Sequence, residues 1–210
     1  MRAIWTTGHG GPEVLEVREA PDPRPAAGEI GIKVEAAGLN FSDVLARIGF
    51  YPAAPKPPCV LGYEVAGVVD ATGPGAEGFA PGDRVVAMTK FGGHADMVCV
   101  SARSSVKLPD DVAFETAAAL PVNYLTAGYM TRRVAGVRAG DTVLVHAAAG
   151  GVGQALLQFC RIVGGVRVLG TASASKHDVL CRNGCAEAID YRSKDYVAEA
   201  RRLTGGEGVD

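Results

Sequence analysis

Residues Thr142–Lys176 read TVLVHAAAGGVGQALLQFCRIVGGVRVLGTASASK. The apolar run Thr142–Ala147 has the length of a buried strand, and Gly153–Val163 places its apolar residues at helical spacing. Arg167–Gly170 then reads as a second strand. Between the first strand and the helix, Ala148, Gly150 and Gly153 occupy the three positions of a G-x-G-x-x-G turn, with alanine in the first. Glycines there let the backbone approach a pyrophosphate and let the helix pack closely on the strand. The unpaired N–H groups at the helix start then face the phosphates. A glycine turn alone is weak evidence, but a strand before it and a helix after it give it meaning. Ala149, Gly150, Gly151, Val152 and Gly153 are therefore the expected phosphate cradle. The competing reading is a tight turn with no ligand.

The segment after the second strand bears on cofactor choice. An NADH site places an acid about 20 residues beyond the turn to hold the ribose hydroxyls. No Asp or Glu lies between Gly153 and His177. In its place stands GTASASK, with Thr171, hydroxyls at Ser173 and Ser175, and a cation at Lys176. These groups suit a 2′-phosphate, so NADPH is the expected cofactor. Tyr191 and Arg192 are expected to close over the same phosphate. The plainer alternative for Lys176 is the cap of a solvated helix start.

Working outward, Lys176–Asn183 and Asp195–Leu203 read as helices and Glu187–Asp190 as a third strand. Strand and helix in alternation call for a parallel sheet with crossover helices. Gly208-Val209-Asp210 looks like the opening of a fourth strand. The expectation is thus the first half of a doubly wound sheet, in the N-terminal part of a longer protein. Upstream the pattern is different. Arg2–Thr6, Leu15–Arg18, Glu29–Ala36, Tyr63–Thr72, Arg84–Met88, Ala95–Val100 and Ser105–Leu108 read as short strands between Gly/Pro turns, a compact barrel-like β domain. Asn40–Ile48, Phe114–Ala119 and Val122–Val134 have helical spacing. The boundary is expected at 122/123, with a β-rich domain over 1–122 and a nucleotide-binding domain over 123–210.

Composition excludes several classes. Apolar residues at 48% and charged residues at 21% are ordinary for a globular domain. A net charge of -2 offers nucleic acid no electrostatic attraction. No apolar run reaches the roughly 18 residues of a membrane span, and MRAIWTTGHGG has no signal-like apolar segment. The expected location is the cytoplasm. The five cysteines (Cys59, Cys99, Cys160, Cys181, Cys185) are odd in number and irregular in spacing, so reduced thiols are expected. Cys181 and Cys185 are four apart and would share a face if both lay on one helix, but only His177 stands near as a further ligand.

The segments GLNFSDVLARIGFYP, PPCVLGYEVAGVV, GDRVVAM, ETAAALPVNYLTAGYM and HAAAGGVGQALLQ resemble the medium-chain dehydrogenase/reductase superfamily. They are most similar to its zinc-independent quinone oxidoreductases, the zeta-crystallin type. VNYLTA and GTASASKHDVL look most like the vesicle amine transport protein homologue branch. The resemblance implies an α/β chain, with an N-terminal GroES-like catalytic domain followed by a Rossmann domain of which only the first half is present. It also implies a homodimer acting on a small molecule.

Zinc-dependent alcohol dehydrogenases of the superfamily carry a cysteine where Asn40 stands and Gly-His-Glu where this chain has Gly62-Tyr63-Glu64. Two of three catalytic ligands are thus replaced, and no metal is expected. Without a Lewis acid, hydride addition to a quinone or a conjugated alkene is easier than reduction of a plain ketone, because the charge spreads to an oxygen that hydrogen bonds can hold. The implied activity is an NADPH-dependent quinone or enone reductase, enoyl thioesters included. A non-catalytic NADPH-binding protein of the same fold is the alternative.

The resemblance places Asn40 and Tyr51 in the substrate and nicotinamide pocket, with Tyr63 as a further candidate and Thr126 near the nicotinamide. Each has a plainer reading. Asn40 is equally a helix N-cap, Asp43 a capping or ion-pair residue, and Tyr51 a half-buried loop aromatic. Thr126 is equally a threonine bonding its own helix backbone. His146 reads as a structural histidine, and His94 has no assigned role.

Overall fold

The computed structural model describes residues 1–210 and divides into two compact units, Met1–Val122 and Asn123–Asp210. Eight strands build the first unit. Five of them, β3 (Glu29–Ala37), β5 (Glu64–Thr72), β6 (Arg84–Met88), β7 (Met97–Ser101) and β8 (Ser105–Lys107), form an antiparallel sheet of order β7-β3-β5-β6-β8. The inward positions of its long strands alternate as the pleat requires. Ile30, Ile32, Val65, Val69 and Val85 are almost wholly buried and make the core. A second sheet joins β1 (Arg2–Thr6), β2 (Leu15–Glu19) and β4 (Cys59–Val60) in the order β2-β1-β4. At two residues β4 is too short to show a period, so the sequence gives no sign of it. The helix α1 (Phe41–Arg47) follows β3, and α2 (Phe114–Ala118) packs Ala117 and Ala118 on Ala66 of β5.

The second unit is a three-stranded parallel sheet of order β11-β10-β9, where β9 is Thr142–Val145, β10 is Arg167–Ala172 and β11 is Glu187–Asp190. Three helices connect and flank the strands: α4 (Gly151–Val163), α5 (His177–Arg182) and α6 (Tyr196–Leu203). Leu157 and Cys160 of α4 meet Val145, Val168 and Leu180 in one core. Asp195 caps α6, its carboxylate accepting from the N–H groups of Val197 and Ala198 at 2.9 and 3.2 Å.

Several boundaries differ from those read in the sequence. The first strand ends at Val145 and α4 begins at Gly151, both earlier than the pattern suggests, because the glycine turn belongs half to the helix. The second strand runs on to Ala172, and a 3₁₀ turn over Ala174–Lys176 precedes α5. Cys185 lies beyond α5, so it shares no helix face with Cys181. The helix α3 (Pro121–Tyr129) gives way to a π-helical turn over Met130–Val134, where the Thr131 hydroxyl donates back to the Ala127 carbonyl at 2.9 Å. Gly208-Val209-Asp210 is not a strand. Asp210 nevertheless takes both outward-facing backbone groups of Thr142: its N–H donates to the Thr142 carbonyl at 3.0 Å and its carboxylate accepts the Thr142 N–H at 2.8 Å.

Candidate functional site

The turn after β9 is built by close approach. Ala147 has φ +49°, the only non-glycine residue in the left-handed region. Its carbonyl accepts the Gly150 N–H at 2.8 Å and closes the loop. A Cβ on Gly153 would lie 2.5 Å from that carbonyl oxygen and 2.6 Å from the Ala148 Cα, so only glycine lets α4 sit this near the turn. Ala148, in the first motif position, is fully buried, and its methyl faces the bare Cα of Gly170 on β10. Gly150 caps α4 without a side chain, and the N–H groups of the first helical turn have no intrahelical partner.

A cavity of about 530 Å³ opens beside this turn. Ala149 and Gly150 line it from the turn, and Thr171, Ser173 and Lys176 line it from the end of β10. Tyr191 and Tyr196 complete it, and no Asp or Glu side chain is among its walls. Ser173 and Ser175 stand with their hydroxyl oxygens 3.5 Å apart. Lys176 is exposed. Arg192 lies over the Tyr191 ring, its guanidinium carbon 5.9 Å from the centroid. Ser173, Ser175, Lys176, Tyr191 and the glycine turn are therefore brought together in one unit.

Other expected residues fall differently. Thr171 is buried, and its hydroxyl is engaged by the Ala147 N–H at 3.2 Å and His146 Nδ1 at 3.3 Å, so it braces the turn. His146 does not sit inside an apolar strand. It is exposed at the cavity wall, with its ring edge-on to Tyr196 at 4.8 Å between centroids. Thr126 is exposed on α3 and stands apart from the cavity beside the turn. Tyr196 carries no signal in the sequence. Only the fold brings its position, after the third strand, back to the first.

In the first unit, Asn40 caps α1 in a capping box with Asp43. The Asn40 N–H donates to Asp43 Oδ2 at 2.8 Å, and the other Asp43 oxygen accepts the Gly62 N–H at 3.1 Å. Asn40 Nδ2 donates to Glu64 Oε1 at 2.7 Å, and Glu64 Oε2 accepts the Val122 N–H at 2.8 Å. Asp43 and Glu64 are both buried, and N–H donors hold both carboxylates. The backbone fits tightly around them. A Cβ on Gly38 would strike the Glu64 carboxylate, and Gly62 (φ +102°) has the His94 N–H against it. His94 Nε2 lies 3.1 Å from the Gly38 carbonyl, which gives this histidine a bracing place.

Tyr51 and Tyr63 lie edge to face, with ring centroids 6.0 Å apart, and Tyr63 also packs on Phe91 at 4.9 Å. The Tyr63 hydroxyl is buried and meets no hydrogen-bond acceptor at good geometry. Burial first, and then the neighbouring Tyr51 and Asp43, push its pKa well above that of an ordinary phenol. The Tyr63 phenol therefore keeps its O–H, which can donate a hydrogen bond but gives up its proton less readily than an ordinary phenol.

Two family models match the chain, the alcohol dehydrogenase GroES-like domain over residues 26–110 and the zinc-binding dehydrogenase domain over 151–210. The human synaptic vesicle membrane protein VAT-1 homolog-like is 43% identical over all of this chain and 49% of its own length. The Escherichia coli quinone oxidoreductase complexed with NADPH superposes with a TM-score of 0.94 at 36% identity, covering 100% of this chain and 64% of that one. An NAD-dependent alcohol dehydrogenase superposes at 0.88 with 39% identity, covering 100% and 69%. The chain belongs to the medium-chain dehydrogenase/reductase family. It spans about half the length of the curated VAT-1 relatives it matches.

Membership in this dehydrogenase family raises zinc, and the residues present do not fit it. A catalytic zinc needs three protein ligands of Cys, His or carboxylate type. Asn40 has its amide nitrogen committed to Glu64, Tyr63 is a phenol held protonated, and the nearby Cys59 thiol turns to the Pro55 carbonyl at 3.6 Å. No three His, Cys, Asp or Glu side chains converge on a point that would hold a metal ion. Because one relative of the same fold is complexed with NADPH and another is described as NAD-dependent, the fold does not choose the cofactor. The residues after β10 must.

Proposed function

We propose that this protein is a zinc-independent, NADPH-dependent reductase that transfers hydride to a quinone or to the conjugated C=C of an α,β-unsaturated carbonyl compound, enoyl thioesters included. One observation carries the reading. The cavity beside the glycine turn is lined by Ser173, Lys176 and Tyr191 and has no carboxylate in its wall. A 2′-phosphate is welcome there, and a bare ribose diol lacks its usual acidic partner.

In this reading Gly150, Gly151, Val152 and Gly153, with Ala149, hold the pyrophosphate by backbone N–H groups, and Ser173, Ser175, Lys176 and Tyr191 hold the 2′-phosphate. Bound NADPH supplies the hydride. Tyr51 and Tyr63 offer O–H donors to the substrate oxygen on which charge develops, and Tyr63 is suited to it by remaining protonated. Asn40 meets the nicotinamide ribose or a substrate carbonyl. Thr126, exposed and outside the cavity, is the weakest of the proposed contacts.

NADPH oxidation measured against a quinone, an alkenal and an enoyl-CoA tests the proposal. Turnover with at least one supports it. Tight NADPH binding with no turnover favours a second reading, a non-catalytic NADPH-binding protein. That alternative draws on Asn40, whose amide nitrogen is already engaged by Glu64 within its own unit. The reading includes a cytoplasmic homodimer, which cell fractionation and light scattering test. No helix is long and apolar enough to cross a membrane.

A further inference from the structure

We infer that the Tyr196 ring, seated against His146, is the surface on which the adenine base of the dinucleotide stacks. The inference rests on the proposed function, in which the glycine turn holds the pyrophosphate and Ser173, Ser175 and Lys176 hold the 2′-phosphate. Every residue it uses lies in the unit Asn123–Asp210.

Two fixed phosphates leave the base little choice of place. One ribose carries both groups, the pyrophosphate through C5′ and the other phosphate on C2′. The base is attached at C1′, the carbon next to C2′, so it lies in the same cavity as Ser173 and Lys176. Two rings in the wall of that cavity have no part in holding phosphate, His146 and Tyr196. The third ring, Tyr191, already has the Arg192 guanidinium over it. Ala147 and Ala172 add only methyl groups, and the Thr171 hydroxyl is engaged within the turn.

Tyr196 is held in place from two sides. It opens α6, directly after Asp195, whose carboxylate takes the N–H groups of Val197 and Ala198 and fixes the backbone there. Its ring meets the His146 ring at 4.8 Å and nearly at right angles. His146 in turn has Nδ1 3.3 Å from the Thr171 hydroxyl oxygen. Tyr196 is nevertheless 39% exposed, so much of the ring is left uncovered on the cavity side of a rigid support. An aromatic face of this kind suits a flat heterocycle, and one base–aromatic stack is worth roughly tenfold in affinity or more.

The test separates the base from the phosphates. Dissociation constants are measured on the full chain, by displacement of NADPH fluorescence, for adenosine 2′,5′-bisphosphate and for ribose 2,5-bisphosphate, which has no base. The original protein should prefer the first by at least about tenfold. Tyr196→Ala should lower that ratio about tenfold by weakening the base-bearing ligand alone, and Tyr196→Phe should keep it. A ratio unchanged in a folded Tyr196→Ala, or both ligands weakened together, would overturn the inference. Should Tyr196→Ala not fold, NMR cross-relaxation between the adenine protons and the Tyr196 ring of the original protein decides, and its absence at saturating adenosine 2′,5′-bisphosphate overturns the inference. Failure of the underlying reading looks different. Adenosine 5′-monophosphate would then bind the original protein as tightly as the 2′,5′-bisphosphate, and the placement of the 2′-phosphate would fall together with that of the base.

Discussion

The hydroxyl of Thr171 accepts the backbone N–H of Ala147 at 3.2 Å, and so the end of β10 pins the one non-glycine residue held at positive φ. The strain of that residue and the bond that holds it are a single device. Replacing Thr171 by Val keeps the shape and removes the acceptor. We expect a loss of about 1 kcal/mol in denaturant stability and weaker NADPH binding, while Thr171→Ser stays near the original on both measures. Equal losses in Val and Ser would point to packing of the Thr171 methyl instead.

Gly153→Ala adds a carbon where the Ala147 carbonyl oxygen and Ala148 Cα already lie 2.5 and 2.6 Å away. Both neighbours are backbone, so α4 must shift. Overpacking of this kind costs on the order of 1–3 kcal/mol, and the turn should lose its phosphate geometry with it. Thermal unfolding and NADPH titration read the two effects. Normal NADPH affinity in a stable variant would show that the turn tolerates the shift.

Lys176 is an exposed cation beside a cavity with no acidic wall. Lys176→Ala should weaken NADPH about tenfold and leave NADH nearly unchanged, because only NADPH carries the 2′-phosphate. Salt should weaken NADPH binding to the original protein more than to the variant. A variant with unaltered NADPH affinity would remove this lysine from the site.

Tyr63 separates stability from chemistry. Its hydroxyl is buried without an acceptor, so Tyr63→Phe should leave stability unchanged or raise it by up to about 1 kcal/mol. If the hydroxyl serves a substrate oxygen, the same change should lower kcat/KM by roughly one to two orders of magnitude, near the size of a lost transition-state donor. A drop in stability with normal turnover would refute both halves.

The legible part of this molecule is the part governed by local rules. Val143–Val145, Val168–Leu169 and the glycines between them specify a strand, a turn and a helix, since periodicity and steric need act over a few residues. Cofactor preference is legible because an acid is simply missing after β10. The Asn40–Glu64 bond is not, because it joins residues 24 apart on different elements. Tyr196 is hidden for the same reason, as it reaches His146 only through the crossover of the chain. His146 looks structural in the sequence because an apolar neighbourhood does not say where a strand stops. Asp43, by contrast, is legible as a capping residue, the local pattern Asn-x-x-Asp being enough.

Glu199 offers a pH test outside the site. Hydrogen bonds from Arg202 and then Lys194 hold its carboxyl at about 2. An unperturbed glutamate titrates at about 4.3. Because the folded value is depressed, whatever this cluster contributes is present above the ordinary value and disappears as pH falls toward 2. Carbon NMR of the Glu199 carboxyl should show the low midpoint, and Glu199→Gln should flatten the acid limb of stability between those values. A midpoint near that of an unperturbed glutamate would mean that solvent screens the pair.

Asp210 grips Thr142 by both its N–H and its carbonyl, on the side of β9 turned away from β10. In a parallel ladder alternate residues serve opposite neighbours, so the peptide group of Leu144 faces the same way, one step further along. The two contacts therefore set a register: a chain laid along this flank meets β9 at Thr142 first, and the outward groups of Leu144 are next in line.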